Sequence, residues 1–238
     1  MYRLEQEFNR QGLKLSRQTM ANWLLKASEK WLQPVYDVLH EQLCREPVLH
    51  ADETTLQVLK EPGRSSTSKS YMWLYRTSGC AKQAIVLYEY QPTRKAEHAE
   101  AFLKGFSGWL HADGYQGDTT DCRGTSVWWA AGHMRGENLT RYLEDGRLEL
   151  SNNRAERSMK PFVMGRKNWL FANTPGGAQA SSVIYSLIET AKENGLDPYR
   201  YLLWLLQNAP QLSETNKAWA EKLLPANAPE ECYVLQNN

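Results

Sequence analysis

The chain has 238 residues, 42% of them hydrophobic, and a formal net charge of +1. That is enough for one substantial core with appendages. It is not a polycation, so any nucleic-acid surface must come from local clustering of Lys and Arg. The four cysteines, Cys44, Cys80, Cys122 and Cys232, are far apart and form no C-x-x-C. This argues against a zinc knuckle or a disulfide framework and fits a reducing cytoplasm. No apolar run reaches the roughly 18 residues of a membrane span, and no signal peptide is visible. Met1 leads straight into a charged helix, which reads as a truncation rather than a natural domain edge.

Residues 2–45 carry apolar residues at helical spacing, among them Leu4, Phe8, Trp23, Leu24, Ala27 and Trp31,. Gly12 breaks the run, Ser16 suits the N-cap of a second helix, and Pro34 kinks or restarts it. Two readings of 3–27 stand side by side: a helix–turn–helix, or a helical pair packed on the next domain. Residues 47–59 change to strand period and carry Asp52. A polar turn at 61–70 follows, then strands at Tyr71–Arg76 and Ala84–Tyr90, ended by Pro92. An amphipathic helix covers Lys95–Phe106, and a short strand, Trp109–Ala112, leads to Asp113. In an RNase-H-like arrangement the first and fourth strands lie side by side, so Asp52 and Asp113 would meet at one end of the sheet. Beyond Thr174 the chain is helical again over Ala178–Asn194, with Gly195 as C-cap. Asp197-Pro198 starts a further helix, Tyr199–Gln207. The tail from Pro225 to Asn238 has no strong pattern.

Residues 151–171 concentrate the chemistry. Glu156 sits among Arg154, Arg157, Lys160, Arg166 and Lys167, and two asparagines precede it that can cap a helix,. Taken alone, Glu156 and Lys160 are an ordinary i,i+4 pair. With Asp52 and Asp113 upstream, the same residues suit a divalent metal and a phosphodiester. Two hard cations held by carboxylates activate an attacking hydroxyl and stabilise the leaving oxygen. Arg154, Arg157 and Lys160 would contact phosphates, and Arg166, Lys167 and Trp169 would add a cationic and stacking surface for DNA. The plainer readings are Asp113 as a turn residue, Asp52 as a strand-end cap, and Trp169 and Phe171 as core.

Five stretches carry a family resemblance. They are His50-Ala-Asp-Glu-Thr-Thr-Leu-Gln-Val-Leu, His111-Ala-Asp-Gly-Tyr-Gln-Gly, Arg147-Leu-Glu-Leu-Ser-Asn-Asn-Arg-Ala-Glu-Arg, Phe162-Val-Met-Gly-Arg-Lys-Asn-Trp-Leu-Phe and Ser186-Leu-Ile-Glu-Thr-Ala-Lys-Glu-Asn-Gly-Leu-Asp-Pro-Tyr. The chain resembles the bacterial insertion-sequence transposases of the IS66 type over nearly its whole length, except 118–138. The resemblance implies a DDE transposase with an RNase-H-like α/β (α+β) domain: a mixed sheet with flanking helices and helical appendages at both ends. It places the acid triad on Asp52, Asp113 and Glu156, as catalytic residues and as ligands of Mg2+, with Mn2+ as substitute. It implies DNA as partner (element terminal repeats and target), a homo-oligomer if active, accessory proteins of the same element, and no membrane. The expected division is a helical segment over 1–46, the catalytic domain over 47–208 and a C-terminal element over 209–238. Leu223-Leu-Pro-Ala-Asn-Ala-Pro-Glu-Glu-Cys is similar to the family's C-terminal element, with Ala226 where Trp is usual. The family's coiled coil and Cys-rich DNA-binding segment have no counterpart in these residues.

Between Asp113 and Glu156 the chain departs from the family, which has a longer stretch with a fifth strand and a Cys-Trp-Ala-His-Ala-Arg-Arg motif. Back-translated and read one base earlier, residues 118–138 permit Tyr-His-Arg-Leu-Pro-Gly-Asn-Ile-Arg-Val-Val-Gly-Cys-Trp-Ala-His-Ala-Arg-Arg-Lys, the motif and strand that are lacking. The reading that follows is a segment translated out of frame, with a deletion that rejoins the frame near Leu139. A natural loop that happens to back-translate well is the other account. The expected consequences are a missing fifth strand, an unpaired sheet edge, and a Glu156 helix without the connection that sets its place. The expected function is therefore a transposase by ancestry, weak or inactive in this copy. The alternatives are a non-catalytic DNA-binding remnant that modulates an intact transposase, and a metal-dependent nuclease that cuts without joining.

Overall fold

A computed structural model of the chain describes residues 1–112, the backbone of 127–131, and residues 146–149 and 151–234. Three N-terminal helices come first: α1 (Tyr2–Arg10), α2 (Arg17–Ala27) and α3 (Gln33–Leu43). Gly12 turns the chain between α1 and α2 at φ 81°, a value that costs glycine little,. The Ser16 hydroxyl accepts from Thr19 N–H at 3.1 Å and starts α2,. A π-helical turn at Ser28–Leu32 joins α2 to α3 just ahead of Pro34, so the helix restarts at the expected proline,. The outward face of α1 and α2 leaves Leu4, Trp23 and Leu24 exposed.

The sheet follows: β1 (Val48–Gln57), β2 (Lys69–Thr77), β3 (Val86–Gln91), β4 (Gly108–Ala112) and β5 (Val127–Ala131), with α4 (Ala96–Phe102) between β3 and β4. The spatial order is β3-β2-β1-β4-β5. β1, β2 and β3 are antiparallel; β4 runs parallel to β1, and β5 parallel to β4. This mixed order is RNase-H-like. The expectation that the fifth strand is missing is corrected here. Val127-Trp-Trp-Ala-Ala contains one Val and two Trp, residue types that favour extension, and its backbone pairs along the whole of β4,.

The two faces of the sheet are covered differently. Side chains alternate along a strand. The odd-numbered face of β1 (Leu49, Ala51) packs with Trp73, Tyr75 and Leu87 against α3 and α4, and against α7 (Pro198–Thr215) and α8 (Trp219–Lys222). The even-numbered face (Leu56) packs with Met72, Leu74, Val86 and Tyr88 against α5 (Asn153–Trp169) through Ala155, Met159 and Phe162. The sheet's β3 edge is closed by α6 (Pro175–Glu193). The Thr190 hydroxyl accepts from Val86 N–H and donates to Val86 C=O, each at 3.0 Å, as a neighbouring strand would. Ser186 accepts from Tyr88 N–H at 2.7 Å, and Asn194 donates to Ala84 C=O at 2.7 Å. Gly195 ends this helical arm at φ 74°, and Asp197 caps α7 by accepting from Arg200 N–H at 2.9 Å. Among the described residues, no helix is long and apolar enough to cross a membrane.

Candidate active site

Asp52 lies on β1 opposite Leu74 of β2, half-buried, with Oδ1 accepting from the Glu53 N–H at 2.8 Å. Its strand parity matches His50, which meets Asn152, and Thr54, which meets Arg166 of α5. Asp52 therefore faces the side of the sheet that α5 covers. The parallel register pairs His50 with His111 and Ala51 with Ala112. The residues that directly precede Asp52 and Asp113 are thus aligned neighbours. Asp113 itself lies outside the described residues. Glu156 is exposed in the first turn of α5, its N–H donating to Asn152 C=O at 3.1 Å.

Beside Asp52 and the start of α5 lies a polar layer that sequence reasoning missed. His50 and His111 are buried, with ring centroids 5.0 Å apart. Burial, and then the neighbouring His111, pull the His50 pKa down to about 4, so the imidazole is neutral near pH 7,. Asn152 is buried between the sheet and α5. Its Nδ2 donates to the Ala51 carbonyl at 2.9 Å, and its Oδ1 stands 3.3 Å from His50 Nδ1. Neutral His50 then carries its proton on Nδ1. The expected side-chain cap does not form, because Asn152 spends its amide on β1 instead. Glu149 Oε1 accepts from Arg154 Nε at 2.6 Å and from Gly79 N–H at 3.1 Å. Burial works to raise the Glu149 pKa, but these hydrogen bonds and His50 outweigh it and hold the carboxyl below its usual range.

The helix is further fixed from β2 and β3. Arg76, almost fully buried, donates to Ser158 Oγ and to the Arg154 carbonyl, and pairs with Glu193 of α6 at 2.8 Å. The Tyr88 hydroxyl donates to the Ser158 carbonyl. At its far end Arg166 donates to the Thr55 carbonyl and approaches Thr55 Oγ1 at 3.0 Å. The expectation that the Glu156 helix loses what sets its place is therefore corrected: residues outside 118–138 seat it.

The cations expected to meet DNA divide by position. Arg157, Lys160 and Lys167 are exposed on α5, whereas Arg154 and Arg166 are half-buried in the contacts just given. Trp169 is half-buried edge-to-face on Phe162, with centroids 5.4 Å apart. It also lines a cleft of about 410 Å³ with Phe171, Asn173, Gly177 and Tyr185. Mg2+ prefers oxygen ligands, and Asp52 and Glu156 offer carboxylates from one face of the sheet. No cluster of three or more His, Cys, Asp or Glu side chains able to hold a metal occurs among the described residues.

The family described as "Transposase IS66 family" matches residues 1–135 and 128–180, and the "IS66 C-terminal element" matches 186–226. The uncharacterized protein y4qI of Sinorhizobium fredii is 26% identical over 323 aligned positions, covering 95% of this chain and 59% of y4qI. The uncharacterized protein y4jD of the same organism is 26% identical over 322 positions, covering 95% of the chain and 62% of y4jD. A third, y4hP, is 40% identical over 68 residues, 29% of this chain. The chain thus spans about three fifths of the length of the first two relatives. No solved structure matches the chain.

Proposed function

Since the chain belongs to the IS66 transposase family, we propose that it is a DDE-type DNA transposase by ancestry, impaired in strand cleavage and strand transfer by an internal deletion. The catalytic and metal-binding acids of this reading are Asp52, Asp113 and Glu156. The observation that carries it is the parallel pairing of β1 and β4 up to Ala51 and Ala112, with α5 laid over the same face. When bound there, Mg2+ (or Mn2+) supplies the activation of an attacking hydroxyl and the neutralisation of charge at phosphorus. The chain's own part is to hold the acids, exclude bulk water beneath them with the buried His50 and His111 layer, and orient DNA. Arg157, Lys160 and Lys167 offer exposed cations for phosphates along α5, with Arg154, Arg166 and Trp169 behind them,. Element ends and target DNA are the substrates, in the cytoplasm, with a homo-oligomer and accessory proteins of the element as partners.

Two observations support the deletion. The alignment with y4qI extends over 323 positions although the chain has only 238 residues, so the relative has many residues without a counterpart here. The family also matches in two pieces, 1–135 and 128–180, which overlap at 128–135, as expected of a chain that lacks residues between them.

The test is cleavage and joining of labelled DNA bearing the parent element's ends, in Mg2+ and then Mn2+, beside Glu156→Ala. This reading expects DNA binding, with cleavage weak and Glu156-dependent and joining at background. Efficient joining would contradict the impairment. Binding with no Glu156-dependent product in either metal would favour the alternative, a non-catalytic remnant that modulates an intact transposase.

A further inference from the structure

We propose that Asn152 is a positioning residue of the acid site: through its side-chain amide it locks the first turn of α5 to the strand residue before Asp52. The inference rests on the acid-site reading above and deepens it. Asn152 is 3% exposed and joins elements that are far apart in sequence. One hydrogen bond reaches the Ala51 carbonyl at 2.9 Å, and the other end of the amide meets His50 Nδ1 at 3.3 Å. Its own carbonyl accepts the Glu156 N–H at 3.1 Å. A single residue therefore contacts the neighbour of one acid by side chain and the other acid by backbone. The planar amide supplies one donor and one acceptor in these places; ionised Asp lacks the donor, Ala lacks both, and Ser is too short to reach both partners,.

The layer around it fixes the amide's orientation. Asn152 Nδ2 faces the Ala51 carbonyl, and the opposite end of the amide, Oδ1, is turned to the buried ring of His50. On the far side Glu149 ties Arg154 of α5 to Gly79, where a Cβ would come within 2.4 Å of the Arg154 guanidinium. The distance between Asp52 and Glu156 is thus set locally, by residues that flank the two acids. The long connection from β5 to α5 is not needed for it, which is why the site can outlast a deletion there.

Mn2+ affinity and hydrogen exchange test this on the full chain. Asn152→Ser keeps a residue that caps helices well but is too short to reach the Ala51 carbonyl. Tyr88→Phe removes a different contact to the same helix, at Ser158. The expected result is Mn2+ binding that depends on Glu156, weakened about tenfold or more by Asn152→Ser and left unchanged by Tyr88→Phe, as for residues that orient metal ligands. Amide exchange should also quicken at 153–157 alone in the Asn152→Ser chain. If that chain does not fold, Asn152→Asp replaces it; its added charge would by itself favour a cation, so weaker binding there still supports the role. Wild-type affinity in the Asn152 variant, or equal loss in the Tyr88 variant, overturns the positioning role and leaves the acid-site reading standing. No Glu156-dependent Mn2+ binding by the wild-type chain overturns both.

Discussion

Leu170 holds the most unusual backbone among the described residues. It is the one non-glycine there with positive φ (63°, with ψ −45°), and the Phe171 N–H donates to the Trp169 carbonyl across it at 2.7 Å. That is a γ-turn of the rare, strained kind. Its side chain is exposed, so little burial offsets the strain. Leu170→Gly should therefore raise stability by about 1 kcal/mol, read as a higher denaturation midpoint. A second residue-scale effect is a pH response. Burial pushes the Glu89 carboxyl up to about 7, against the hydrogen bond from Gln91 that pulls it down. The unfolded chain releases that proton near the ordinary 4.5, so the stability this group adds is present below that pH and is lost as pH rises through 7,. His50, drawn down to about 4 from 6.5, acts with the opposite slope: its contribution is present above 6.5 and is lost as pH falls through 4,. Glu89→Gln should remove the first slope alone, so melting temperatures taken from pH 5 to 8 should fall less on the alkaline side than in the wild type. An unchanged profile would contradict the assignment.

At the scale of elements, the sheet is finished on its β3 side by a helix rather than by a strand. Ser186 and Thr190, one turn apart on α6, offer hydroxyls to the backbone of β3. This closes an edge that would otherwise invite pairing with another chain. Thr190→Val keeps the shape and leaves Val86 N–H and C=O buried without partners. It should cost roughly 2–4 kcal/mol in denaturant unfolding, whereas Ser181→Ala, whose hydroxyl bonds only to Gly177 of its own helix, should cost close to nothing,. These serines and threonines were visible in the sequence as part of a family-like stretch, but their role was not. Helical periodicity reports apolar faces, and a stripe of hydroxyls at i,i+4 looks like a solvated face until the strand beside it is known.

Across the whole molecule, legibility followed the range of the interactions involved. β1, β2 and β4 were readable because alternation and turn residues are local signals, and so were the caps at Ser16 and Asp197. The helix expected over Lys95–Phe106 ends early, at Phe102, because Gly105 turns the chain at φ 91°. α7 runs to Thr215, beyond the expected Gln207, and carries Pro210 inside it. A departure from a motif does not report on the fifth strand, because strand formation asks only for residues that tolerate extension beside β4,. Asp52 and Glu156 stand out in the sequence by charge and by their place in family-like stretches. In sequence Asn152 looks like a cap, because its strand partner lies more than a hundred positions away. Its role emerges only once β1 and α5 are side by side.

The central claim is that Asp52, Asp113 and Glu156 surround one cation-binding site despite the altered segment between the last two. Fe2+ placed in the Mg2+ site, with ascorbate and peroxide, releases radicals that cut the polypeptide beside the metal. The account requires cuts grouped around Asp52, Asp113 and Glu156, suppressed by excess Mg2+ and lost in Glu156→Ala. Scattered cuts, or cuts near Asp52 alone that persist in that variant, would contradict it.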